Sequence, residues 1–430
     1  VRRVNLPQSL RDLAAGAAAN AAYPLVSLVT GPILARGLGP EARGELAALL
    51  TPLTLADAFA AVGTPLAAAY YVRAGADLRK VRRIGLLIVG ISGTVTAIAL
   101  AILADYILAS YADLVPLFRL LCIGVALGAV IEFYRGVRTG QAAYGRLNLN
   151  LWLGALGRLL GVIVLAYLGE LTPGRVALLS IATGLLAALA LVRWNSPSPA
   201  PPTRTVDMRE MTIFSLRTWS GVLASSFAAR LDQFLLIIIV SSEELGYYAV
   251  AVTAAQVPMA VFPVLQRQLL NRAVTVSDPR ELALSSRLSV ALALGLCIPV
   301  GLLMPVLIPL LFGEDFTESV PLAQILIIAT ALWGVGQALT GLLVGSGRPG
   351  RASWGDGLGV VTLLCLIFPM AHWAGTAGAA TALIVSNALS AIFKASQLAR
   401  GTTGGRLVDI LAPRLRDLKE VRRRMGPSRP

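Results

Sequence analysis

The sequence predicts an all-α polytopic membrane protein: twelve transmembrane helices in two six-helix lobes, related by pseudo-twofold symmetry along the membrane normal. Three observations carry this expectation. They are an apolar composition, apolar runs of span length, and an alternation of basic residues between the segments that join them. Of 430 residues, 56% are apolar and 14% charged, with a mean hydropathy of +0.73. Soluble domains run about 45–50% apolar and about 25% charged. A soluble fold of this length would need a polar surface that the chain does not have.

About 20 mostly apolar residues cross the hydrocarbon core as a helix. Twelve such segments follow one another: 13–35, 45–71, 84–106, 114–134, 149–168, 174–193, 212–240, 244–266, 286–312, 321–345, 354–374 and 376–398. The first ends at Arg36 with no processing-type polar region, so it is expected to be a span rather than a cleaved leader. Several exceed 25 residues, which implies tilt, a break or extension into the interface.

The positive-inside bias tests the count. With a cytoplasmic N-terminus, 31 of the 37 basic residues fall in the inner segments, including five between Arg73 and Arg83 and ten between Lys394 and Arg429. The outer loops hold only Arg36, Arg43 and Arg175, while carrying Glu41, Asp105, Asp113, Glu170, Glu243, Glu244, Glu314, Asp315 and Glu318. One span too many or too few near the start would invert every later loop. Both termini are therefore expected inside, in the plasma membrane. The net charge of +14 is accounted for by topology, so no nucleic-acid partner is expected. Cys122, Cys297 and Cys365 lie in apolar spans without ligand-like spacing and read as small core residues. No metal or cofactor is expected.

The longest polar interruption, 195–210, opens with Ser-Pro-Ser-Pro-Ala-Pro-Pro and predicts a stiff extended linker. It separates an N-terminal six-helix lobe, 1–194, from a C-terminal one, 211–398, with a basic cytoplasmic tail at 399–430. The halves begin alike. Ser9-Leu-Arg11 opens the first span and Ser215-Leu-Arg217 the seventh, and Glu41-Ala-Arg-Gly44 at the first outer turn matches Glu243-Glu-Leu-Gly246. Six spans per half makes the repeats parallel, as in transporter folds with a cavity between two rocking bundles.

Charged residues inside spans mark the candidate site. Each costs about 2.5–3.5 kcal/mol or more at a lipid-facing helix centre, so Asp57, Arg158, Arg230 and Asp232 should face the interior or a wet cavity. Arg119 and Glu132 sit nearer span ends and can snorkel. One reading makes the mid-span charges internal ion pairs, Arg158 with Asp57 or Arg230 with Asp232, although residues two apart on a helix point different ways. The other makes Arg158 and Arg230 cavity cations, because guanidinium forks match phosphate oxygens bidentately and stay charged. Gln233 and Asn20 join them as candidate substrate-binding side chains, and Asp57 and Asp232 are candidate ion-coupling or charge-partner positions. Gly63-Thr-Pro65, just after Asp57, is the best hinge candidate. His372 beside Trp373 reads as interfacial. The tail from Arg406 spaces Leu407, Ile410, Leu411 and Leu415 helically among basic residues, predicting an amphipathic segment on anionic inner-leaflet lipids that Pro413 kinks.

Four segments, in order, carry a resemblance that covers nearly the whole chain. They are Leu34-Ala-Arg-Gly-Leu-Gly-Pro-Glu-Ala-Arg-Gly-Glu45, the stretch from Ala229-Arg-Leu-Asp-Gln-Phe to Gly246-Tyr-Tyr-Ala-Val-Ala251, Leu310-Leu-Phe-Gly-Glu-Asp-Phe316, and Gly375-Thr-Ala-Gly-Ala-Ala380. Together they resemble the polysaccharide-biosynthesis, Wzx-like flippase branch of the multidrug/oligosaccharidyl-lipid/polysaccharide exporter superfamily. The resemblance implies a transporter that moves a polyprenyl-diphosphate-linked oligosaccharide outward, with cationic cavity residues on the headgroup and polysaccharide-assembly proteins as further partners. A drug/cation antiporter of the same superfamily is the nearest rival and would favour a carboxylate-lined cavity. A lipid II-type flippase commonly carries additional spans. A membrane polymerase or ligase would need acid–base groups in large outer loops, and these loops are short.

Overall fold

The computed structural model describes residues 8–191, 205–275, 278–402 and 406–412, with side chains over the same ranges apart from 8–21, 24, 220–221, 224–225, 228–229, 275 and 402. Every regular element among the described residues is helical. In chain order these are α1 (Gln8–Ala61), α2 (Thr64–Arg73), α3 (Leu78–Ile102), α4 (Ala104–Ile107), α5 (Val115–Leu121), α6 (Ile123–Gly140), α7 (Tyr144–Tyr167), α8 (Pro173–Ala188), α9 (Met208–Ile239) and α10 (Ser242–Ala255). There follow α11 (Phe262–Thr275), α12 (Pro279–Phe312), α13 (Ser319–Gly345), α14 (Pro349–Thr402) and α15 (Val408–Leu411). Among the described residues, seven helical segments are long and apolar enough to cross a membrane, and α10 with α11, bent by 44° around Val257–Ala260, would count as an eighth if the bent pair is one span. Pro258 in that turn removes a backbone donor, which explains the break.

The two longest helices, α1 and α14, each run 54 residues and contain a non-helical point. In α1 it is Gly39 (φ 75°), a left-handed conformation that glycine adopts without steric cost, followed by Pro40, suited to a first helical turn. In α14 it is Ala374–Gly375, with Gly375 at φ 55°. Each break falls between two of the apolar segments expected from the sequence. The chain therefore turns between these segments with no loop at all.

Packing divides the chain into two compact units, Val1–Ala249 and Val250–Pro430. In the first, α9 packs on α1 and α2, so it joins the helices before the 195–210 stretch. Of that stretch, residues 195–204 lie outside the described residues. The faces show which solvent the fold expects. Along α3, Val81, Gly85, Val89, Gly93 and Ala97 are buried, whereas Leu87, Ile91, Val95, Ile98 and Ile102 are exposed. An apolar outer stripe over a small-residue inner stripe is membrane-helix packing, with lipid outside and close helix contact inside. Gly85 shows why: a Cβ there would collide with the ring of Phe133 on α6.

In the second unit α13 is the central helix, packed against α11, α12 and α14. Lys394 in the second half of α14 is buried and pairs with Asp356 in its first half at 2.6 Å, its stem lying against Gly355. The sequence reading counted Lys394 only as an inner-side charge. The start of the tail is also docked rather than laid on lipid. Ile410 of α15 is fully buried, and the Arg287 Nη1 donates to the Asp409 carbonyl at 2.8 Å. Ala412 turns extended, as a residue before proline must. The tail from 413 onward lies outside the described residues. Cys122 and Cys297 are buried, but Cys365 is exposed on α14, contrary to the core reading.

Candidate functional site: a cluster of arginines

The hinge candidate coincides with a break. Helix α1 stops at Ala61, Val62 and Gly63 both take positive φ (43° and 66°), and α2 restarts at Thr64-Pro65. A helix end leaves its last carbonyls without partners, which apolar surroundings make costly. Three of them find side-chain donors. The Trp219 Nε1 donates to the Ala58 carbonyl at 2.8 Å, the Ser92 hydroxyl to Ala60 at 2.6 Å, and the Thr64 hydroxyl to Ala61 at 2.8 Å. The break is thus held open by α9 and α3, and it lies six residues from Asp57.

The two Glu-x-x-Gly turns meet one another. A Cβ on Gly44 would strike the Ser242 carbonyl and the Gly246 backbone nitrogen, and a Cβ on Gly246 would strike the Pro40 carbonyl and the Gly44 nitrogen. Pro40 and Ser242 each stand four residues before their own glycine, so the contact is locally twofold. Side chains would hold α1 and α10 apart here.

Three arginines converge near this crossing. Arg43 on α1 interacts electrostatically with both Arg158 on α7 and Arg230 on α9, and Arg158 with Arg230 and Tyr23. Helix α7 is set against α1 by Ala22, Val26 and Ala155, with Tyr23, Trp152 and Leu159 around them. The Nε atoms of Arg43 and Arg158 are buried without a hydrogen-bond partner among the described residues. Arg230 is exposed, and among the described residues its Nη1 reaches only Gln233 Oε1, at 3.3 Å. No ion pair within 4 Å involves any of the three among the described residues. Turned to lipid, three such charges would cost roughly 8–10 kcal/mol. The exposed one must therefore face water.

Arg43 is the residue that sequence reasoning missed. Charge counting put it in an outer loop, but the chain has no loop there: Gly39-Pro40 restarts the helix at once, and Arg43 falls within its first turn or so. The signal was present as Gly-Pro, which marks a tight restart.

The other candidates lie elsewhere. Asp232 is buried and accepts a 2.7 Å hydrogen bond from the fully buried Tyr248 of α10. Asp57 faces α6, with its carboxylate 3.2 Å from where a Gly128 Cβ would stand, and its charged neighbours are Glu132 and Arg135. Glu132, which was expected to snorkel, pairs with Arg135, whose Nε donates to Asn150 Oδ1 at 2.8 Å. Asn150, fully buried, passes the chain on to the Ala187 carbonyl. Arg138, also counted as an inner-loop charge, is buried and donates twice to the Leu191 carbonyl beyond α8. Arg119 pairs with Asp105 at 2.5 Å on the surface. Asn20 lies on α1, and its side chain is outside the described residues.

The fold class is that of a multi-pass membrane transporter. The chain superposes on an inward-facing multidrug resistance MATE family transporter of the MOP superfamily with a TM-score of 0.73 at 15% identity, covering 91% of this chain and 100% of that one. On the lipid II flippase MurJ, inward closed, the TM-score is 0.70 at 11% identity, over 96% and 93%. An outward-facing MATE transporter gives 0.57 at 15% identity, over 91% and 95%. The protein belongs to the polysaccharide biosynthesis protein family, whose model matches residues 9–270. No curated protein sequence matches the chain. The fold is the one these MATE and MurJ transporters share.

Proposed function

We propose that the protein flips a polyprenyl-diphosphate-linked oligosaccharide from the inner to the outer leaflet of the plasma membrane by alternating access, for cell-surface polysaccharide biosynthesis. The observation that carries this reading is the convergence of Arg43, Arg158 and Arg230 without a carboxylate partner among the described residues. Three guanidiniums that repel one another are stabilised by a compact polyanion, and a diphosphate offers oxygens for bidentate contacts to each. The family's description supports a sugar substrate, and likeness to a lipid II flippase supports a lipid-linked one. An inside-negative potential favours outward movement of such an anion by about 2.3 kcal/mol per charge per 100 mV.

On this reading Gln233 and Asn20 complete the substrate site, and Asp57 and Asp232 are the positions for any coupled ion. Twelve spans in two lobes, 1–194 and 211–398, with both termini cytoplasmic, follow from the charge alternation. The tail beyond α15 meets anionic lipids, and polysaccharide-assembly proteins are further partners of the protein. In cells lacking the protein, Arg158→Ala and Arg230→Ala should fail to restore surface polysaccharide and should accumulate the lipid-linked precursor at normal membrane levels. Full activity of both variants would sink the anion-site reading. A drug/cation antiporter draws on Asp57 and Glu132, two carboxylates that interact across α1 and α6. Export of a cationic dye without movement of lipid-linked sugar would select it.

A further inference from the structure

A run of aromatic rings follows the seam of α1 and α2 with α9, away from the arginines. Phe227 meets Phe59 edge-on at 5.7 Å, and Phe59 meets Trp219 at 6.2 Å. Nearer the start of α9, Phe214 stacks on Tyr70 at 4.8 Å and 16°, and packs edge-on to Tyr71 at 5.6 Å. There Tyr70, Tyr71, Glu210, Ile213, Phe214 and Arg217 line a cavity of about 310 Å³, within the roughly 300–1,000 Å³ range of small-ligand pockets.

Packing alone does not account for this cavity. Tyr70 is 47% exposed and Phe59 37%, so the rings keep open surface after meeting one another. Glu210 and Arg217 place a carboxylate and a guanidinium beside the rings. A broad aromatic face flanked by Glu and Arg suits a pyranose: its C–H face lies on the ring while its hydroxyls donate to the carboxylate and accept from the guanidinium. Arg73, Arg209 and Arg217 put this end of the seam on the basic side of the chain. From Phe214 to Arg230 is 16 residues of one unbroken helix, about 24 Å at 1.5 Å per residue.

We propose that this cavity is a saccharide subsite for sugars distal to the diphosphate, with the glycan extended along the aromatic seam and its headgroup at Arg43, Arg158 and Arg230. The inference rests on the lipid-linked oligosaccharide reading above and adds where the sugars are held. The probes are the lipid-linked glycan that accumulates in cells lacking the protein and bare polyprenyl diphosphate, each titrated against the full chain in detergent.

The wild type should bind the glycan lipid about tenfold tighter than the bare lipid, the scale of an aromatic contact. Tyr70→Ala should erase that ratio without changing affinity for the bare lipid, and Tyr70→Phe, which keeps the ring, should preserve it. Arg230→Ala should weaken both lipids alike. Equal binding of the two lipids by the wild type, or an unchanged ratio in Tyr70→Ala, overturns the saccharide subsite while leaving the diphosphate reading standing. No precursor accumulating, or no binding of either lipid, overturns the transport reading and this inference with it.

Discussion

Replacing Trp219 with Phe tests whether the break between α1 and α2 is held by side-chain donors from neighbouring helices. The substitution keeps a ring against Phe59 but removes the Trp219 Nε1 donor to the Ala58 carbonyl. Ala58 is buried, 7% exposed, so water cannot easily replace that donor. An unsatisfied buried polar group costs about 1–3 kcal/mol, while interhelical hydrogen bonds in membrane proteins average about 0.6 kcal/mol and reach about 1.7 kcal/mol. The upper part of the membrane range applies here, because the next residue after the helix end, Val62, is β-branched at positive φ and offers no helical alternative. We expect about 1.5 kcal/mol. Ser92→Ala should cost less, since the one hydroxyl proton is shared between Ala60 and Ile88. Equilibrium unfolding in mixed detergent micelles reads both. A loss below about 0.3 kcal/mol in Trp219→Phe, or equal losses in the two variants, would refute the reasoning.

Two further outcomes can be read in the same assay. Asp356→Ala should destabilise by about 2 kcal/mol, because it strands the Lys394 ammonium, whose side chain is 2% exposed. Lys394→Met should be nearly neutral, since the Asp356 it leaves is 52% exposed and can hydrate; the reverse order would contradict a buried-cation account. Gly246→Ala should cost about 1–3 kcal/mol by overpacking against Pro40, whereas Gly350→Ala, with open space around it, should be tolerated, and equal effects would deny the close crossing.

The helical class and the span-length apolar segments were legible because both are local: hydropathy and proline or glycine punctuation sit in adjacent residues. Gly63-Thr-Pro65 announced its break this way, and so did the twin Glu-x-x-Gly turns, although nothing in the sequence said that they touch. What escaped were partners distant in sequence. Asp232 could be seen to point away from Arg230, but not that Tyr248 on the next helix would receive it. Lys394 and Asp356 lie 38 residues apart, and the path from Glu132 through Arg135 and Asn150 to Ala187 crosses three helices. Loop arginines were read as topology alone, yet Arg43, Arg135 and Arg138 are all built into packed helices.

The crossing at Gly44 and Gly246 limits how the two Glu-x-x-Gly turns can change. Each glycine is boxed in by the backbone of the other turn, so a mutation in one has no side chain opposite that could shrink in compensation. At this turn a substitution at either glycine disturbs both, and the local twofold contact is kept by geometry.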